Sequence, residues 1–77
     1  MEATVIYIDD PVIELYKLLK LAGFAGSGGE AKAMIASGDV LLDDETETRK
    51  RKKVAPGATV TFAGQTVRVE AAGSPDA

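Results

Sequence analysis

Five basic side chains stand side by side from Arg49 to Lys53 within "TETRKRKKV", residues 46–54. Like charges this close repel one another, and a polyanion relieves the repulsion because each phosphate contacted releases condensed counterions. Phosphate binding is the chemistry to weigh first, against the plainer reading of a solvated loop. In an extended strand Arg49, Arg51 and Lys53 would share one side and Lys50 and Lys52 the other, so about three would reach phosphate together. Arginine is favoured for bidentate contact. The 77-residue chain around this run is acidic, with twelve Asp and Glu against nine Lys and Arg and a formal net charge of -3. Nucleic-acid-binding domains are typically basic overall. The local field, however, decides which face meets a polyanion, and this one run holds five of the nine cations.

Other chemistries lack their parts. The chain has no histidine and no cysteine, and Ser27 has no evident base, so nucleophilic and general acid–base catalysis are not expected. Disulfides and thiolate zinc sites are excluded on the same ground. Asp43-Asp44-Glu45, without a wider ligand set, reads as an acidic turn rather than a metal site. No cofactor, metal or small-molecule substrate is expected. "GSGGEAK", residues 26–32, lacks the Gly-Lys-Ser/Thr ending of a nucleotide-binding loop. It reads as a capped helix start that uses glycine for close packing, and its free amides can still meet a backbone phosphate. A carrier of the sulfur- or ubiquitin-like kind would end in Gly-Gly, whereas this sequence ends "GSPDA".

Placing these residues requires elements. "ATVIYI", residues 3–8, is short and rich in β-branched residues, as an opening strand requires. "DDPVIELYKLLKLAGF" predicts a first helix, with Asp10 as cap, Pro11 in the first turn and Gly23 past the end. Its stripe is Val12, Leu15, Leu19 and Ala22, widened by Tyr16 and Leu18. Lys17 and Lys20 fall on a more polar side, with Glu14 in reach of Lys17. "SGGEAKAMIASGD" predicts a second helix. Ser27 and Glu30 form a capping box, Ala31, Met34 and Ile35 are the buried stripe, Lys32 points away, and Gly38 stops it. The short link "GFAGSG" packs the two helices as a pair.

Beyond Gly38 the period shortens to that of strands. Val40 and Leu42 share a side, Asp43-Asp44 forms a turn, and a Pro56-Gly57 turn leads to a strand around Thr59–Ala63. A Gly64-Gln65 turn then gives a strand around Thr66–Glu70. The basic run connects two of these strands. The expected architecture is α+β: a short N-terminal strand, two packed helices, then a small antiparallel sheet. Residues 1–71 form one domain and 72–77 a flexible tail. The core of so short a chain is thin, and Tyr7, Tyr16, Phe24 and Phe62, the only aromatics, are expected inside it. No apolar run approaches the roughly 18 residues a membrane span needs. "MEATVIYIDD" does not read as a signal peptide, so a soluble, cytoplasmic monomer is expected.

In order and spacing, the motifs Leu19-Lys20-Leu21-Ala22-Gly23, Ser27-Gly28-Gly29-Glu30-Ala31-Lys32, Gly38-Asp39-Val40, Glu47-Thr48-Arg49 and Ala55-Pro56-Gly57 resemble the S-four RNA-binding domain. The likeness is to its free-standing bacterial form, the YbcJ-like family, and covers roughly residues 12–70. The resemblance implies an αL-motif RNA-binding fold and an RNA-binding face built from the helix pair and the following basic segment. It assigns to that face Lys20, Ser27, Gly28, Gly29, Lys32, Arg49, Lys50, Arg51 and Lys53. The chain departs from the family pattern at Asp43-Asp44, where Asn-Gly or Asp-Gly is usual, which predicts a turn of another type.

The expected partner is structured RNA, ribosomal or transfer RNA, recognised by backbone and shape rather than by base stacking on exposed aromatics. Docking on a ribosome or another RNA–protein assembly through protein is the alternative. Sequence reading of DNA would need Arg, Asn or Gln on the second helix. "GGEAKAMIAS" offers one Lys, so only unspecific DNA contact stays open.

Overall fold

A computed structural model describes residues 4–73. Strand β1, Thr4–Ile8, runs parallel to β7, Gln65–Ala71, with Thr4 opposite Val67 and Ile8 opposite Ala71. Strand β6, Thr59–Phe62, pairs antiparallel with β7 and with β3, Val40–Leu42, which pairs in turn with β4, Glu45–Thr46. The sheet order is β1-β7-β6-β3-β4. The fold is α+β, as expected. Its sheet is mixed: a parallel pair needs a long connection, and the helix pair together with the strands that follow it supplies one between β1 and β7. Ala3 of the expected opening strand, and the tail from residue 74 onward, lie outside the described residues. Ala72 donates its N–H to the Ile8 carbonyl at 2.7 Å.

Helix α1 spans Leu15–Leu21, four residues later than the Pro11 start expected from the sequence. Ile13–Glu14 instead forms a two-residue strand, β2, against β5, Lys53–Val54, with Ile13 opposite Val54 and Glu14 opposite Lys53. Asp10 therefore caps nothing; Glu14 takes the cap position, and its side chain makes no capping bond. The free amides at the start of α1 find other partners. Leu15 donates to the Lys52 carbonyl at 2.9 Å and Tyr16 to the Lys50 carbonyl at 3.1 Å. A helix start left without acceptors would leave orphan donors in place, and here the backbone of the basic run satisfies two of them.

Helix α2 spans Gly28–Ala36 with Ser27 as cap, as the sequence predicts. Ser27 Oγ accepts from the Glu30 amide at 3.1 Å. Glu30 reaches back one residue further than a capping box requires, accepting at 2.7 Å from Gly26 rather than from Ser27. Both helices end on a glycine with positive φ, Gly23 at 83° and Gly38 at 82°, a conformation that strains other residues.

The helix pair and the sheet share one core. Leu15, Leu18 and Leu19 of α1 meet Ala31 and Ile35 of α2 over Ile8, Val40, Val54, Val60, Val67 and Val69. Val12, expected in the stripe, is exposed because it precedes the helix, and Met34 is half-buried. The aromatic expectation holds only in part. Phe24 and Phe62 pack together at 5.7 Å and Tyr16 is half-buried against the core, but Tyr7 is 65 % exposed on the edge strand β1.

Asp43 and Asp44 both have positive φ, 51° and 72°. That is the pattern of the two-residue hairpin turn usually built from Asp-Gly, so the substitution did not change the turn type. Asp43 is held there by β6. Its Oδ1 accepts from the Thr59 amide at 2.9 Å, and its own amide donates to the Thr59 carbonyl at 2.8 Å. The last hairpin turns at Ala63-Gly64, one residue before the expected Gly64-Gln65, with Phe62 opposite Gln65.

Candidate nucleic-acid interface

The basic run is not extended. Lys50 and Arg51 form a turn in which the Lys52 amide donates to the Arg49 carbonyl at 3.2 Å. The expected two-sided alternation is lost, because α1 draws the carbonyls of both Lys50 and Lys52 toward its first turn. Lys50, Arg51 and Lys53 are exposed and Lys52 is half-buried. The turn is thereby fastened to α1 through backbone alone, which leaves its side chains free to point outward.

Tyr16 is where the parts meet. Its amide holds the Lys50 carbonyl, and the Lys32 ammonium of α2 lies 4.6 Å above its ring centroid. A Cβ placed on Gly28 would stand 3.7 Å from the Tyr16 ring and 4.0 Å from Lys20 Cδ. Lys32 thus does not simply point away from the helix pair, as its place on the helix suggested, but folds onto α1 and is half-buried. Gly28 and Gly29 also differ from expectation. Neither has positive φ, and an added Cβ would make ordinary contact at the first and none at the second. Packing therefore does not demand either glycine. Their bare backbone leaves the first turn of α2 open beside Lys20, and Ser27 and Gly29 are exposed there.

Arg49 is turned in another direction. Glu47 accepts from the Arg49 amide at 3.0 Å, from its Nε at 2.9 Å and from its second terminal nitrogen at 3.3 Å. These bonds to Arg49 hold the Glu47 carboxyl below the usual glutamate range and raise the Arg49 guanidinium above its own. The Glu47 amide donates to the Val40 carbonyl at 3.0 Å, so the clasp is anchored to β3. Lys17 pairs loosely with Glu14 at 3.7 Å, and Arg68 with Glu70 at 2.7 Å. Among the described residues no carboxylate pairs with Lys20, Lys32, Lys50, Arg51 or Lys53. Contacts thus bring Lys20, Gly28, Lys32 and the backbone of Lys50 around Tyr16, with Lys53 opposite Glu14 just before α1 begins. Tyr16 is the residue that reading for charge overlooks. Its spacing of four from Lys20, which puts the two on one helix face, is the signal that could have found it.

This two-helix platform with a basic turn bonded to its first amides defines a recognisable class. The S4 domain family model matches residues 6–70, and the chain belongs to that family. It is 52 % identical over 61 residues to Escherichia coli YbcJ, covering 79 % of this chain and 87 % of that protein, whose name provisionally describes it as RNA-binding. It is 39 % identical over 62 residues to Bacillus subtilis RlbA, covering 80 % and 87 % of the two chains; RlbA is provisionally named a ribosome maturation protein. The solution structure of E. coli YbcJ, described as revealing an αL motif involved in RNA binding, superimposes with a TM-score of 0.70 at 44 % identity. That match covers 91 % of this chain and 90 % of YbcJ.

Proposed function

We propose that this chain binds structured RNA, ribosomal or transfer RNA, through the face formed by Lys20, Lys32, the first turn of α2 and the basic turn. It acts as a cytoplasmic monomer and performs no chemistry on the RNA. The observation that carries this reading is the pair of hydrogen bonds from Leu15 and Tyr16 to the carbonyls of Lys52 and Lys50. They fasten a dense positive turn to the helix pair and leave its ammonium and guanidinium groups to solvent. The names of YbcJ and RlbA support the same reading.

Recognition works by charge and shape. Lysine and arginine neutralise phosphates, and each contact adds counterion release. The open amides at Gly28 and Gly29 suit a backbone phosphate at the positive end of α2. A-form RNA offers its backbone and 2′-hydroxyls across a shallow minor groove, which suits a basic face whose aromatic residue, Tyr16, is half-buried with Lys32 over its ring. Lys50→Glu combined with Arg51→Glu tests the assignment. The double variant should keep its circular dichroism spectrum, lose most RNA affinity and show a salt slope lower by about two. Wild-type binding by that variant would remove the basic turn from the interface.

A second reading, docking on a protein of an RNA–protein assembly, draws on one feature. Leu21 is 60 % exposed and lines a groove of about 370 Å³ with Ile13, Lys17 and Lys20. An acidic segment with one apolar side chain would complement it.

A further inference from the structure

We infer that Tyr16 is a positioning residue of the RNA face, whose ring seats the Lys32 ammonium so that α2 presents its one cation beside Lys20 and the basic turn. The inference deepens the RNA-binding reading and rests on it. Lysine on an exposed helix samples many rotamers, and fixing it on a ligand forfeits that freedom. Lys32 is already restrained. Its ammonium sits 4.6 Å from the ring centroid, inside the range where the quadrupole of an aromatic face attracts a cation, whereas Lys17 lies at 5.9 Å, near the outer limit. The ring itself is restrained, because Tyr16 packs half-buried against the core. Both helices are thus coupled through one side chain. The Tyr16 amide adds the basic turn, a bond that any residue except proline would make, so the side chain and the backbone have separable roles.

Tyr16→Leu, Tyr16→Phe, Lys32→Met and the Tyr16→Leu/Lys32→Met double variant separate these roles. Without RNA, the Lys32 side-chain methylene protons nearest the ammonium should resonate upfield in the wild type, shielded by the ring. They should move to ordinary lysine positions in Tyr16→Leu and stay upfield in Tyr16→Phe. With a folded ribosomal RNA fragment, Tyr16→Leu should lower affinity about threefold to fivefold. Its log–log salt slope should fall by about one, as one phosphate contact is lost. Lys32→Met should do the same, the double variant should do no more than either, and Tyr16→Phe should restore the wild-type slope. A destabilised fold alone would lower the melting temperature without changing the slope. An unshielded Lys32 in the wild type, or effects of Tyr16→Leu and Lys32→Met that add, overturns the seat. A shielded Lys32 in a wild-type protein that binds no RNA overturns instead the RNA reading, and with it the purpose given to the seat.

Discussion

Glu47 and Arg49 show how two neighbouring residues set the start of a charged strip. Glu47 accepts three bonds from Arg49, one of them from the backbone, so the guanidinium is held along the chain rather than projecting freely. Two donor directions of the fork are occupied by Glu47. The bonds from Arg49 depress the Glu47 carboxyl below the usual 4.5. A carboxyl depressed in the folded state adds stability that is present above the unfolded value and is lost as pH falls through the folded one. Glu47→Gln should therefore be less stable than the wild type near pH 7. The gap should close as pH falls below about 4.5, when protonation removes the charge from the wild type as well. Melting temperatures of both proteins between pH 7 and pH 3 check this, and a gap independent of pH would contradict it. The exposed guanidinium keeps the effect modest, as exposed pairs are screened by water.

Elements that depend on local chemistry were legible in the sequence, and those that depend on distant partners were not. Helix α2 begins at its serine cap and ends at Gly38 because capping and positive φ are properties of a few adjacent residues. Helix α1 begins late because Ile13 and Glu14 are taken by a partner forty residues away in sequence, overriding a sound local start signal at Asp10-Pro11. That same partner bends the basic run into a turn. Only the family resemblance grouped Lys20, Ser27, Gly28 and Lys32, whereas the fold-back of Arg49 and the place of Lys32 over Tyr16 required the helices to be placed. The hairpin at Asp43-Asp44 makes the opposite point. The pairing of Leu42 with Glu45 imposes positive φ on Asp44 despite its Cβ, while the Thr59 bonds hold Asp43. Asp44→Gly should relieve that strain and raise stability by about 0.5–1 kcal/mol, less the entropy a glycine adds to the unfolded chain. Chemical denaturation measures it, and a loss of stability would show that the Asp44 side chain has a role of its own.

At the scale of the whole molecule, a chain with a net charge of -3 concentrates five of its nine cations in one run, Arg49 to Lys53. The acids at Asp43, Asp44 and Glu45 cluster on the β3–β4 hairpin and its turn, while Glu14 and Glu47 pair with Lys17 and Arg49. The parallel pairing of β1 with β7 joins the first strand to the last and leaves β1 and β4 as the two edges of an open sheet. A local concentration of cations sets the field that a polyanion meets, whatever the net charge. Salt titration of binding to a folded ribosomal or transfer RNA, beside duplex DNA of equal length, tests this most directly. With about three to four phosphates engaged, log affinity should fall with log salt at a slope of roughly -2 to -4, and RNA should bind tighter than DNA throughout. Equal affinity for the duplex DNA, or a slope near zero, would contradict RNA binding through this face.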